Sequence, residues 1–199
     1  MDWSFIQEYA PMYVEAAGLT LRIGVIGILL SCVLGLLCAA VQYEKVPVLR
    51  RVVSVYVELS RNTPLLVQLF VVFYGLPDIG IILDPFPAAV IVFAINEGAY
   101  CAETMRAALE SVPVGQMEAG YCVGLSYMQT IRRIVLPQAL RTAFPPLSNS
   151  LISLVKDTSL ASNITVMEMF MATQRIAART YEMLPLYCEV ALVYLLFST

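Results

Sequence analysis

Residues 23–41 run for nineteen positions without a charged side chain or a proline. As a helix rising about 1.5 Å per residue, the run reaches roughly 28 Å, close to the hydrocarbon thickness of a bilayer. A stretch of this kind is expected to cross a membrane. The rest of the chain agrees, because 59% of its 199 residues are hydrophobic, 14% are charged and the mean hydropathy is +0.77. A soluble chain is about 45–50% apolar and about 25% charged, so lipid must cover part of this one. Residues 1–17 carry Asp2, Glu8 and Glu15 and no basic residue. A cleaved leader needs a positive segment ahead of its apolar core, so the first run is expected to be retained.

Four further apolar blocks follow, and the chain reads as one all-α, polytopic membrane domain over 1–199. Its expected spans are approximately 19–41, 52–76, 84–106, 138–162 and 183–199. Only the stretch 23–41 of the first is free of charge; the others hold Glu58 and Arg61, Glu97 and Glu103, Lys156 and Asp157, and Glu189. Basic residues gather on the cytoplasmic side of short loops. Lys45, Arg50 and Arg51 follow the first span, and Arg106, Arg132, Arg133 and Arg141 surround the connection after the third, whereas residues 77–85 hold Asp78 and Asp84 and no basic group. Arg175 and Arg179 oppose the trend, but the balance places the N-terminus outside. No inverted or parallel repeat of the kind found in secondary transporters is visible.

Several chemistries drop out. The chain has no histidine, which removes histidine bases and most zinc sites. The five cysteines stand alone without paired spacing, so no redox or metal site is expected. A net charge of -3 and the lack of a basic run give no footing for nucleic acid. No catalytic residue and no metal ligand is assigned.

The stretch 111–137, SVPVGQMEAGYCVGLSYMQTIRRIVLP, is too polar to span. Ser111 and Pro113 mark a helix start, and Met117, Tyr121 and Leu125 fall on one side, so an amphipathic cytoplasmic helix is expected. Gly120 and Gly124, one turn apart, either admit another backbone closely or let the chain turn. Pro137 suits the first turn of the next span. From spacing alone, a helix resting on lipid headgroups fits as well.

Glu118-Ala119-Gly120, Gly124 and the Ile134-Val135-Leu136-Pro137 run resemble the EAA loop of permease subunits in ATP-binding-cassette importers, with Gly120 where alanine is usual. The resemblance implies a type I importer permease fold of about five spans in a prokaryotic cell membrane. Its coupling helix, between spans three and four, would dock on an ATP-hydrolysing subunit through Gly115, Glu118, Ala119, Gly120, Gly124, Leu136 and Pro137. It further implies two ATPase subunits, a second permease chain, identical or homologous, and an extracytoplasmic substrate-binding protein. Mg-ATP would be bound by the ATPases, and no cofactor by this chain. Relatives usually carry a basic tail after the last span. Its absence before Thr199 means that either the tail is missing or the span is short.

Three more blocks are similar to the polar amino-acid uptake branch of these permeases. They are RNTPLLVQLF from Arg61, AYCAETMR from Ala99, and PPLSN from Pro145 leading to LVKDTSL from Leu154. Within the branch, residues 75–85 and 152–160 look most like permeases of cystine systems, so L-cystine is the first expected substrate.

Ionisable groups at membrane depth face a partner or a water-lined path. A substrate path through Asn96, Glu97, Tyr100, Glu103, Lys156, Asp157, Thr158 and Ser159 would return hydrogen bonds and charge to a zwitterion stripped of water. Equally, Glu103 with Arg106 and Lys156 with Asp157 suit structural ion pairs. Glu97, Glu103 and Asp157 also leave room for an ion-coupled carrier or a channel.

Overall fold

The computed structural model describes the backbone of residues 4–198 and the side chains of residues 9–198. Asp2, the Glu8 side chain and Thr199 at the end of the last expected span lie outside the described residues. Among the described residues every regular element is helical.

Helix α1, Ser4–Tyr43, is 40 residues long, well beyond the expected 19–41. It buries Thr20, Ile23, Ser31, Cys38 and Ala39 while exposing Val25, Leu29, Val33, Leu36 and Leu37. Mostly small residues face inward and large aliphatic ones outward, as lipid contact and close helix packing demand. Helix α4, Pro85–Glu110, buries Ala88, Ala89, Phe93, Ala99 and Ala102 in the same manner. These two are the helices that are each long and apolar enough to cross a membrane alone.

The expected second span, 52–76, is interrupted. Helix α2, Leu49–Asn62, stops where Thr63 turns extended at φ -110, ψ 132, and α3, Leu65–Phe70, starts after Pro64 at φ -57, ψ 134. Proline pushes the residue before it out of the helical region, which explains the break. α3 continues through a π turn, Val71–Gly75, and a 3-10 turn, Leu76–Ile79, that ends on Gly80 at φ 85. Counting α2 and α3 as one broken crossing raises the spans recognised by length and composition from 2 to 3.

After the short helices α5, Val114–Cys122, and α6, Tyr127–Thr130, comes α7, Leu136–Asp157, with Pro145 and Pro146 inside it. The proline pair does not break the helix, which runs through both. The polar stretch after Val155 does interrupt it, as the 3-10 segment Thr158–Ile164. Helices α8, Met169–Thr180, and α9, Met183–Phe197, complete the described chain.

Two compact units arise from this path. One gathers Met1–Leu29, Pro64–Ala94 and Leu151–Thr199, the other Leu30–Thr63 and Ile95–Ser150. In the first, Ile23, Leu69, Phe93, Leu154 and Ile164 pack as one core, and Ala16, Met169, Ala172 and Val190 as another. In the second, Cys38, Val57, Ala99 and Ala102 form one cluster, and Ala108, Ala139 and Ala143 a further one. Small residues recur because backbones meet closely: a Cβ on Gly35 would lie 2.5 Å from Cys101 Cβ.

Candidate functional site

The connection after α4 folds as two short helices and a turn. α5 follows the extended Pro113 at φ -57, ψ 138 and ends where Gly124 takes φ +80. Leu125 N–H donates back to the Gly120 carbonyl at 3.0 Å, closing the helix end. The left-handed conformation comes cheaply to glycine, so the helix stops there. The expected single amphipathic helix is therefore too long. Met117 and Tyr121 belong to α5, but Leu125 lies past the turn.

Ser126 starts the chain again with a capping box: its hydroxyl accepts from Gln129 N–H at 3.4 Å while its own N–H donates to Gln129 Oε1 at 2.9 Å. Sequence reasoning passed over this Ser-x-x-Gln signature, although it is legible. α6 runs through a second π turn, Ile131–Val135, directly into α7. Pro137 lies in the first turn of α7, as its position suggested, although the helical path already runs into that turn from α6. It lacks an N–H and its ring crowds the carbonyl four residues back, and the widened turn relieves both.

Two contacts hold α5 itself, and a third anchors α6, which follows it. Gly120 is pressed against Thr130, whose Cγ2 would be 2.5 Å from an added Cβ. Gln138 Nε2 donates to Gln116 Oε1 at 3.3 Å, and Tyr127 OH donates to Glu44 Oε1 at 2.6 Å. Partial burial, and then the Glu44 carboxylate, hold the Tyr127 phenol above its ordinary pKa. Gly120 thus serves close approach and Gly124 the turn, so each alternative raised by the spacing is realised at one of them. The outer side of α5 shows Val114, Gly115, Glu118, Ala119 and Tyr121 to solvent. Glu118 is outside the first turn, where an acid would stabilise the helix dipole, and it forms neither of the ion pairs found among the described residues. Leu136 and Pro137 belong to the continuous run that carries α5 toward α7.

In the same unit lies a polar basin of about 510 Å³, to which Arg50, Glu58, Arg61, Glu103, Arg106 and Glu110 contribute charge. Arg106 holds Glu103 at 2.5 Å and Glu110 at 2.6 Å. The Arg61 guanidinium lies 5.4 Å from the Tyr100 ring centre, and Tyr100 OH donates to the Arg61 carbonyl at 3.4 Å. Of the eight residues expected along a substrate path, Tyr100 and Glu103 line this basin. Asn96 and Glu97 are buried instead, and Asn96 Nδ2 donates to the Ser60 carbonyl at 3.0 Å, joining α4 to α2. Lys156, Asp157, Thr158 and Ser159 belong to the other unit. Thr158 donates its hydroxyl to the Val155 carbonyl at 2.6 Å. The Glu103–Arg106 pair forms as its spacing suggests, whereas Lys156 and Asp157 make no ion pair. Arg61 is also part of the basin.

An all-helical membrane chain with a stiffly mounted, exposed short helix and a basin of both charges has the build of a transporter's membrane subunit. Residues 31–199 match the binding-protein-dependent transport system inner membrane component, and the chain belongs to that family. It is 46% identical over 196 residues to the L-cystine transport system permease protein TcyB of Bacillus subtilis, covering 98% of this chain and 84% of that one. With the glutamine transport system permease protein GlnP of Escherichia coli it shares 40% over 201 residues, 99% and 91% of the two chains. A crystal structure of an amino acid ABC transporter with histidines superposes at a TM-score of 0.92 and 29% identity, over 100% of this chain and 92% of the other. The MetNI methionine ABC transporter, at a TM-score of 0.77 and 20% identity over 95% and 92%, shares the fold. The chain is an amino-acid permease with the type I importer fold, and ATP hydrolysis is the work of a separate ATPase subunit.

Proposed function

We propose that this chain forms the translocation path of an ATP-driven importer of a polar amino acid, with residues 111–137 as its coupling element. The mounting of α5 carries the proposal. A helix that is held through Gly120 and Gln116, is followed by an α6 anchored through Tyr127, and shows an apolar face with one carboxylate can pass a partner's push into a span. Two such chains would enclose the path, with two ATPases on the cytoplasmic side and a binding protein outside, where the N-terminus also lies. The basin supports the substrate class, because fixed charges of both signs suit an ammonium and a carboxylate together. L-cystine ranks first, on the likeness of residues 75–85 and 152–160 to cystine permeases and on the relative TcyB.

Reconstituting the chain in vesicles with its ATPase and binding protein, and offering a panel of amino acids that includes cystine, tests the proposal. Uptake should require both ATP and the binding protein. Gradient-driven uptake by the chain alone would overturn the proposal in favour of an ion-coupled carrier.

A further inference from the structure

Glu168 lies between the expected fourth and fifth spans, and its residue is 0% exposed. Its Oε2 accepts from Phe170 N–H at 2.8 Å and from Tyr194 OH on α9 at 2.9 Å. Its Oε1 accepts from Met171 N–H at 2.7 Å. Next to it, Met169 N–H donates to Thr20 Oγ1 on α1 at 3.1 Å. One carboxyl and one hydroxyl thus draw the start of α8 onto both α9 and α1, within a single unit.

Among the described residues, no cationic group of the packed elements pairs with this carboxyl. α1 carries Tyr13, Glu15 and Arg22 here, and Tyr13 is engaged with Thr173 at 3.2 Å. α9 carries Tyr187, Glu189 and Tyr194, of which Tyr194 bonds Glu168 and Glu189 acts on Tyr13. α8 adds Arg175 and Arg179, and neither forms an ion pair with Glu168. A buried carboxylate without a cation costs free energy that three hydrogen bonds offset only in part.

We propose that Glu168 is a positioning residue for transport: its buried carboxyl pins the start of α8 to α9, beside the Met169–Thr20 tie to α1, and the strength of the pin depends on its charge state. Burial, opposed by the Phe170, Met171 and Tyr194 donors, pushes this carboxyl up to about 7. A carboxyl whose pKa is raised in the folded arrangement holds its proton more tightly there than when opened. The pin is therefore fully present below the ordinary glutamate range and weakens as pH rises toward about 7. Above that, it stays at its weaker level. The link to transport rests on the function proposed above, whereas the charge state itself can be read without transport.

Infrared titration of the reconstituted importer complex reads that charge state. A protonated-carboxyl band should disappear with a midpoint near 7 and be missing in Glu168→Gln. Tyr194→Phe, which removes a donor favouring the charged form, should move the midpoint upward and serves where the glutamine variant does not assemble. A midpoint in the ordinary carboxylate range, or one unmoved by Tyr194→Phe, overturns the proposal. Uptake provides the second readout: the wild-type rate should change by at least about twofold between pH 6 and 8, and Glu168→Gln should flatten the profile. Parallel profiles would refute the positioning role. A complex without uptake at any pH would instead count against the transport function and leave the infrared result to decide.

Discussion

Gly18 and Gly35 lie on the same helix, yet alanine at each should act with opposite sign. A Cβ on Gly18 meets nothing within 4 Å, whereas one on Gly35 meets Cys101 Cβ at 2.5 Å and the Ala102 nitrogen at 3.0 Å. Backbone cannot swing aside as a flexible side chain can, so Gly35→Ala should cost about 1–3 kcal/mol. Gly18→Ala should gain up to about 1 kcal/mol from helix propensity. Thermal unfolding in detergent compares them, and shifts of the same sign would contradict the close approach of α1 and α4. The same logic governs Gly120 against Thr130, whose hydroxyl is also committed to the Ser126 carbonyl at 3.1 Å. Gly120→Val should lower ATP-driven uptake severalfold, and adding Thr130→Ala should restore part of it. A double variant as impaired as the single would show that Thr130 is not the obstacle. These contacts could not be foreseen from spacing alone. Two glycines one turn apart admitted both a turn and a close approach, and only the returning chain decides which residue meets which demand.

At the scale of elements, the two π turns occupy matching places. Val71–Gly75 precedes Leu76-Pro77, and Ile131–Val135 precedes Leu136-Pro137. In both, the proline lacks the donor for the carbonyl four residues back, and the wider turn accommodates that loss. Pro137→Ala should let the second turn relax toward regular helix, rotating what precedes it by roughly one residue, or about 100°. Gln116 and Gln138, 3.3 Å apart, would then separate. Cysteines at 116 and 138, in a chain with Cys122→Ser, should cross-link readily with Pro137 and several times more slowly with alanine. Equal rates would mean that the proline does not hold the turn. The helical character of the apolar runs was legible because such runs declare themselves, although two helices, or three with the broken pair, are long and apolar enough to cross a membrane. Pro64 breaks the second block, where it and Thr63 leave the helical region, whereas Pro145 and Pro146 leave α7 unbroken. A proline inside a long helix costs one hydrogen bond and a crowded carbonyl, which packing can offset, and Ala139, Ala143 and Leu147 of the same helix pack against Ala108.

Over the whole molecule, what sequence hid was the meeting of distant helices. Arg61 of α2 and Tyr100 of α4 share no pattern along the chain, and their stacking in the basin depends on a tertiary contact that periodicity does not encode. Glu168 was missed for a related reason: a lone acid in a polar connection gives no sign that Thr20 and Tyr194 will enclose it. Orientation, by contrast, was argued from charge, and the exposed Cys122 at the end of α5 can test orientation and coupling together. A membrane-impermeant maleimide applied to sealed vesicles of cellular orientation should label Asp78→Cys and leave Cys122 untouched. Inverted vesicles should show the reverse. Adding the ATPase subunits to the inverted vesicles should slow Cys122 labelling severalfold, since the face that includes Glu118 and Tyr121 would then be covered. Glu118→Lys should reverse this protection without changing labelling in the free chain, because the carboxylate is exposed and unpaired in any ion bridge. Labelling of Cys122 from outside would invert the topology. Correct sidedness without protection would keep the topology and remove α5 from the ATPase contact.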